Sequence, residues 1–401
     1  MFLARFTRPC FRFRPSLSQL PARLCQNYSS GLAAKLPRVF PSTGFEKIDP
    51  TLSVEEERLP SYRLEDYYPM RIGQIIHENY RVVAKLGYGT TSTVWLSRDL
   101  RDGKFWVLKV HVNNLKHNQE LVVYQHLSGL CLDHPGRQHV RQFRDTFKLA
   151  EMQKDHVFQK TLVTNALDQT LFGLNYLHDA DVVHTDIHTD NLLIAITDDS
   201  ILDTVEENEL HRPSARKYVE DTVIHVSQYM LGGAGALTIC DLGQARIGKV
   251  HRSKAMPTPY RALEVILGMT WGNSVDVWSV GLLAWDLLQQ EGIFHVYDQS
   301  EELNDAHHLA AMAALLGPPP DAFLRRSDKT SKYWNKDGEW HGPVPLPPRR
   351  EIKSLKPNLS GEDRGKFLDF LSGVLTWLSE DRLNSFEAYF HPWLRGEGAP
   401  E

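Results

Sequence analysis

The chain has 401 residues, 42% of them hydrophobic and 24% charged, enough apolar content for one large core or two modest ones in a soluble globular protein. A formal net charge of -5 gives no global attraction to nucleic acid or to an anionic membrane, so direct nucleic-acid binding is not expected. Cys10, Cys25, Cys131 and Cys240 form no CxxC pair and read as reduced packing residues, and the most hydrophobic run, VWSVGLLAW at 277–285, is too short to span a bilayer.

The first 45 residues carry Arg5, Arg8, Arg12, Arg14, Arg23, Lys35 and Arg38 and no Asp or Glu. Acid-free, Arg-rich, Ser-containing N-termini direct import into organelles, so a mitochondrial location is expected. The alternative is a disordered basic tail on a cytoplasmic or nuclear protein, and Pro9, Pro15 and Pro21 interrupt the helix a presequence needs. Residues 46–79 read as an extension, with the order-promoting body starting near Tyr67.

From Tyr80 the pattern turns strand-like. YRVVAKLG (80–87), STVWLSRD (92–99) and KFWVLKV (104–110) are β-branched and aromatic runs parted by turn residues, which predicts three antiparallel strands. Between the first two, Gly87, Gly89 and the small residues up to Ser92 form a turn whose backbone N–H groups can approach phosphate oxygens, although Gly-x-Gly alone is more often an ordinary turn. Lys109 has apolar neighbours on the third strand, which suits an ammonium directed at phosphates better than a solvated lysine. The helical run NQELVVYQHL (118–127) brings Glu120, either an ordinary acid at a helix start or the carboxylate partner a buried Lys109 needs.

Further on, Leu167, Leu171, Leu174 and Leu177 recur at helical spacing and lead into VVHTDIHTDNLL (182–193). There Asp186 can accept a hydroxyl proton, and Asn191 can offer a neutral oxygen to Mg2+, a hard cation. The apolar strand LTICDLGQA (237–245) ends in Asp241-Leu242-Gly243, with Asp241 placed to bridge Mg2+ to phosphates. Glu264, Asp276 and Arg382 follow in PTPYRALE, SVDVWSVG and WLSEDRL.

This ordered set resembles the eukaryotic protein kinase family over roughly residues 80–394. Within it the chain looks most like the SR-protein kinases and their fungal relatives, which share the His-Thr-Asp loop, Asp-Leu-Gly in place of Asp-Phe-Gly, a Ser-bearing Gly-rich turn and an insert, here at about 197–236. The resemblance implies an α+β fold of two lobes: a small antiparallel β-sheet N-lobe over 80–150 and a mainly helical C-lobe over 160–394, with a tail at 395–401. It implies ATP and Mg2+ as cofactors, Ser/Thr hydroxyls of protein substrates as acceptors with Ser/Arg-rich segments as candidates, and a monomer. Carried over by position, Leu86, Gly87, Gly89, Ser92, Val94, Val107 and Lys109 would line the nucleotide, and Lys109 and Glu120 would form an ion pair. Asp186 would be the base, with His188 beside it, while Asn191 and Asp241 would hold the metal. Glu264 and Arg382 would pair beneath the activation segment, and Asp276 would anchor the catalytic loop.

Two departures matter. His188 stands where the family has lysine; an unperturbed histidine is only about a quarter protonated at pH 7, although Asp186 and Asp190 favour its charged form. Small-molecule kinases of the choline and aminoglycoside type share His-x-Asp-x-His but lack the activation segment and the Asp-x-Trp-Ser-x-Gly helix. The second departure is the stretch KLAEMQKDHVFQKTL (148–162), which is short for a fifth strand, an adenine-binding hinge and a short helix once HVRQFRDTF (139–147) ends. A truncated hinge would bare a sheet edge and weaken ATP binding, leaving a pseudokinase scaffold as the alternative. The acidic residues Asp198, Asp199, Asp203, Glu206, Glu207 and Glu209 of the insert, with Glu301, Glu302 and Asp305, read as a solvated face or as an attractor for Arg-rich substrates. Ser253, Thr258 and Tyr260 are the hydroxyls of a short activation segment, which the resemblance leaves without need of phosphorylation.

Overall fold

The three β-branched runs form the centre of a five-stranded antiparallel sheet. In the computed structural model, which describes residues 3–5, 38–115, 117–130, 132–141, 160–196, 198, 200–220, 222–228, 235–294, 296–297 and 304–395, the strands are β1 (Leu3–Arg5), β2 (Ile75–Ile76), β3 (Tyr80–Gly89), β4 (Ser92–Asp99) and β5 (Phe105–His111). Their order is β1-β5-β4-β3-β2, and β3, β4 and β5 match the expected strands to within two residues. One edge of β5 is paired with β1, Leu3 opposite Val110, so the edge expected to stay bare is covered by backbone from the basic N-terminal stretch.

The chain continues through α1 (Gln119–Gly129), α2 (Lys160–Asp179), β6 (Val182–Val183), β7 (Leu192–Ile194), α3 (Ser200–His211), β8 (Arg216–Val219), β9 (Thr222–His225), β10 (Leu237–Ile239) and β11 (Arg246–Ile247). Among the described residues it ends in seven helices, α4 (Leu263–Ile266), α5 (Ser274–Leu288), α6 (Asp305–Leu316), α7 (Asp321–Leu324), α8 (Gly361–Val374), α9 (Ser385–Tyr389) and α10 (Pro392–Arg395). The described residues of Met1–Leu115 and Asp198–Met230 form one compact unit, and those of Lys116–Arg141, Lys148–Thr197 and Leu231–Glu401 form the other.

In the first unit one face of the sheet is apolar core. Val82, Trp95, Leu108 and Val110 pack with Met70 and Ile76 of the extension, and Tyr68, Ile72 and Tyr80 close the cluster. The ordered body also takes in residues well before Tyr67. Phe45 lies 4.1 Å under the Arg216 guanidinium, and Glu56 forms a buried ion pair with Lys85, whose side chain is fully enclosed. The insert is held in this unit by ion pairs, some reaching the sheet and the extension and one internal to it. Arg98 Nη2 holds Glu206 Oε2 at 2.7 Å and Asp203 Oδ1 at 2.5 Å, Arg216 Nη2 holds Glu209 Oε1 at 3.0 Å, and Lys217 Nζ holds Glu57 Oε1 at 2.7 Å. Glu206 and Glu209 are fully buried, which corrects the reading of the insert acids as a solvated face or a substrate attractor: these two serve the fold, since a buried carboxylate needs a partner cation.

The second unit is built around α2 and α5. Leu167, Leu171, Leu174 and Leu177 form the buried face of α2, as their spacing predicts, and α5 is buried on nearly every side. Gly281 of α5 is required by the approach of α8: a Cβ there would come within 2.7 Å of Val374 Cγ2. Among the described residues no helix is long and apolar enough to cross a membrane. Cys240 is buried, while Cys10, Cys25 and Cys131 lie outside the described residues, as do Asp199, Glu301, Glu302 and residues 142–159, which include most of the proposed short hinge.

Candidate active site

Strand register brings together the predicted residues of the first unit. Gly87 is opposite Val94, and Val94 is opposite Lys109, so the three stand in one row across β3, β4 and β5 on one face of the sheet. Val107, two residues before Lys109, shares that face. The opposite face carries Trp95, Leu108 and Val110 and is spent on the core, which leaves the Lys109 face for chemistry. Leu86 falls at an irregularity of register between Lys85 and Gly87, so alternation does not assign its face. Gly89 pairs with Ser92 across the two-residue turn Thr90-Thr91.

The second unit holds the remaining predicted residues. The catalytic loop is suspended from Asp276, fully buried on α5: its Oδ2 accepts the His184 N–H at 2.8 Å and its Oδ1 accepts the Thr185 N–H at 2.7 Å. His184 Nδ1 accepts the Asp186 N–H at 3.2 Å, which fixes the tautomer so that Nε2 donates to Cys240 O at 3.0 Å. The loop is thereby tied to the strand that precedes Asp241.

Asn191 and Asp241 are brought together by a short ladder. Leu192 opposite Ile239 joins β7 to β10, and Cys240 N donates to Asn191 O at 2.9 Å, so Asn191 enters one strand where Asp241 leaves the other. Asn191 Nδ2 donates to Asp186 O at 2.8 Å and lies 3.1 Å from Asp186 Oδ2, so its remaining amide atom, Oδ1, is the one a cation could take. Asp241 sits in the left-handed region at φ 60°, and its Oδ1 accepts the Gly243 N–H at 3.2 Å. Among the described residues no three His, Cys, Asp or Glu side chains gather as a metal cage. The oxygen donors of Asn191 and Asp241 suit magnesium, which takes one or two protein ligands and completes its shell with phosphate and water.

His188 adjoins Asp186. Its Nε2 lies 3.5 Å from Asp186 Oδ1 and 3.0 Å from Asn191 Nδ2, and its Nδ1 lies 3.6 Å from Asp190 Oδ2. Burial pushes its pKa down, but the hydrogen bond and charge of Asp186, with Asp190 and Asp241, outweigh it and leave the imidazole above its ordinary value.

Sequence reasoning missed two supports. His178 Nε2 lies 3.0 Å from Asp276 Oδ2, behind the loop it anchors, and Gln119 Nε2 donates to Ala245 O at 2.9 Å, tying the helix of Glu120 to the turn after Asp241. Only their positions in the helices before each motif could have hinted at them. Glu120 is buried on α1, in the second unit, whereas Lys109 is buried on β5 in the first. Arg382 Nη1 holds Glu264 Oε1 at 2.8 Å, the buried pair expected. The activation segment is held by its neighbours: Arg261 reaches Ala255 O at 3.3 Å, Met256 O at 3.2 Å and Asp305 Oδ1 at 3.3 Å, and Trp271 Nε1 donates to Ser253 O at 2.9 Å. Tyr260 donates its hydroxyl to Asp286 Oδ2 at 2.5 Å, which engages one of the three candidate phosphosites.

This arrangement, a carboxylate beside paired oxygen donors on adjoining strand ends, coincides with a match to the protein kinase domain over residues 80–394. The chain belongs to the protein kinase family. A serine/threonine protein kinase of Aspergillus fumigatus is 34% identical over 386 residues, covering 89% of this chain and 95% of that one. The serine/threonine-protein kinase SRPK of Physarum polycephalum is 27% identical, covering 85% and 91%. The crystal structure of the PF14_0431 kinase domain superposes with a TM-score of 0.60 at 20% identity, covering 82% of this chain and 99% of that one, a likeness of fold. The likeness to SR-protein kinases and the α+β kinase fold expected from the motifs are both borne out. A protein kinase domain uses ATP and Mg2+ in general and acts on proteins.

Proposed function

We propose that the protein is a MgATP-dependent serine/threonine protein kinase of the SR-protein kinase type. The observation that carries this reading is the Asp186 and Asn191 hydrogen-bond pair held on Asp276, with Asp241 on the adjoining strand end. In this reading Asp186 takes the proton of a Ser or Thr hydroxyl as that oxygen attacks the terminal phosphorus of ATP and ADP departs. His188, its pKa raised by the carboxylates around it, stands beside Asp186 in place of the family lysine. Lys109 faces the phosphates, and Leu86, Gly87, Gly89, Ser92, Val94 and Val107 line the nucleotide. Asn191 and Asp241 hold magnesium, which when bound neutralises phosphate charge.

Ser/Arg-rich proteins are the proposed substrates, a reading supported by the likeness to the Physarum SRPK. It is tested by transfer of labelled phosphate from MgATP to a Ser/Arg-rich peptide, beside the same peptide with Lys for Arg and a panel of amino alcohols and sugars. Preferential labelling of the Arg peptide is expected; faster turnover with a small alcohol would contradict it. The pseudokinase alternative rests on the short hinge, most of which lies outside the described residues. The acid-free, arginine-rich first 45 residues support mitochondrial targeting, which a C-terminal fluorescent fusion would test, and a monomer is expected on sedimentation.

A further inference from the structure

We propose that Tyr67 is a positioning residue that braces the Gly-rich turn so that its backbone amides are presented to the nucleotide; the nucleotide half of this rests on the kinase reading above. The Tyr67 hydroxyl lies 3.0 Å from Gly89 O and 3.3 Å from Thr90 O, where one proton is shared between two consecutive carbonyls. In a trans peptide the carbonyl of one residue and the N–H of the next point in opposite directions, and the described residues include no cis peptide. Drawing the Gly89 and Thr90 carbonyls toward Tyr67 therefore turns the N–H groups of Thr90 and Thr91 away from it. The third carbonyl of the turn, Thr91 O, is held by Val112 N at 2.9 Å. Packing does not fix the tip: a Cβ placed on Gly89 would meet nothing within 4 Å. The turn's orientation is thus set by hydrogen bonds to its carbonyls, and Tyr67 supplies the only side-chain hydrogen bond to them among the described residues.

Tyr67 is itself anchored on both sides. Asn113, just beyond the strand of Lys109, donates its N–H to Asp66 O at 2.9 Å and its Nδ2 to Glu65 O at 2.6 Å. The Tyr62 ring lies 5.1 Å from that of Tyr67, and Met70 is sunk in the core under Val82, Trp95 and Leu108. The extension therefore links the sheet core, the end of the Lys109 strand and the Gly-rich turn through one short segment. Burial, with Glu56 and Asp66 nearby, raises the Tyr67 pKa and keeps the hydroxyl a donor.

Tyr67→Phe removes the donor and keeps the ring; Tyr62→Phe is the control. Losing one net hydrogen bond should speed amide exchange across residues 86–94 of the nucleotide-free protein about 3- to 10-fold and raise the Kd for MgATP by a similar factor, with the KM for peptide unmoved. Unchanged exchange and unchanged Kd in Tyr67→Phe would overturn the brace. A wild-type protein that binds no MgATP would instead overturn the kinase reading and the nucleotide half of the proposal, while the exchange rates still decide whether Tyr67 holds the turn.

Discussion

Asp276 Oδ1 accepts the Thr185 N–H at 2.7 Å, and Thr185 is held at φ 67°, a region that a β-branched residue avoids. The strained peptide persists because the buried carboxylate also receives the His184 N–H and His178 Nε2. Asp276→Asn would turn an amide NH2 toward at least one of these donors. The expected result is a loss of about 2 kcal/mol in urea unfolding and a fall in kcat of at least about tenfold, because the loop that carries Asp186 loses its suspension. Wild-type stability and rate would contradict this role.

Arg382 and Glu264 offer a separate test of the second unit. Both are buried, and the Arg382 guanidinium also lies 5.0 Å from the Trp278 ring. Arg382→Met strands the Glu264 carboxylate and should cost about 3–5 kcal/mol, whereas Arg382→Met with Glu264→Gln should recover part of that loss. Denaturant midpoints of the two variants decide it.

Stability should also weaken in mild acid through His308. Its ring is fully buried on α6, its nitrogens have no hydrogen-bond partner among the described residues, and burial with the nearby Arg261 charge lowers its pKa to about 3. A depressed folded pKa means that stability is complete above the unfolded value near 6.5 and is lost as pH falls toward 3. At pH 5 the loss is about 2 kcal/mol, so His308→Leu should lose about that much less than wild type between pH 7 and pH 5. Parallel pH slopes for the two proteins would contradict the assignment.

The parts of the fold that were legible in the sequence are those whose causes are local. Strands at 80–89, 92–99 and 105–111 announce themselves by β-branched runs between turn residues, and Asp186, Asn191 and Asp241 by spacing within single motifs. The insert's allegiance was not legible, because it depends on ion pairs such as Arg98 with Glu206, 108 residues apart, and a run of acids looks the same whether solvated or buried against arginines. The early start of the ordered body was hidden for the same reason: Glu56 finds Lys85 only after the sheet has formed. Tyr67 was passed over because a hydroxyl that holds carbonyls leaves no pattern in sequence.

His188 stands close enough to Asp186 to act on the same reaction. His188→Ala should lower kcat about 10²-fold or more, and His188→Lys should retain most of the rate, since each tests one preorganised positive contact. Equal rates for His188→Ala and wild type would mean that the ring contributes nothing.

The central claim is that Asp186 performs phosphoryl transfer with the oxygen donors at its side. The most direct measurement is MgATP-dependent labelling of a Ser/Arg-rich peptide by wild type and by Asp186→Asn, with both proteins first matched for melting temperature. Labelling by the wild type that disappears in the variant is the predicted result; equal labelling by both would contradict the account.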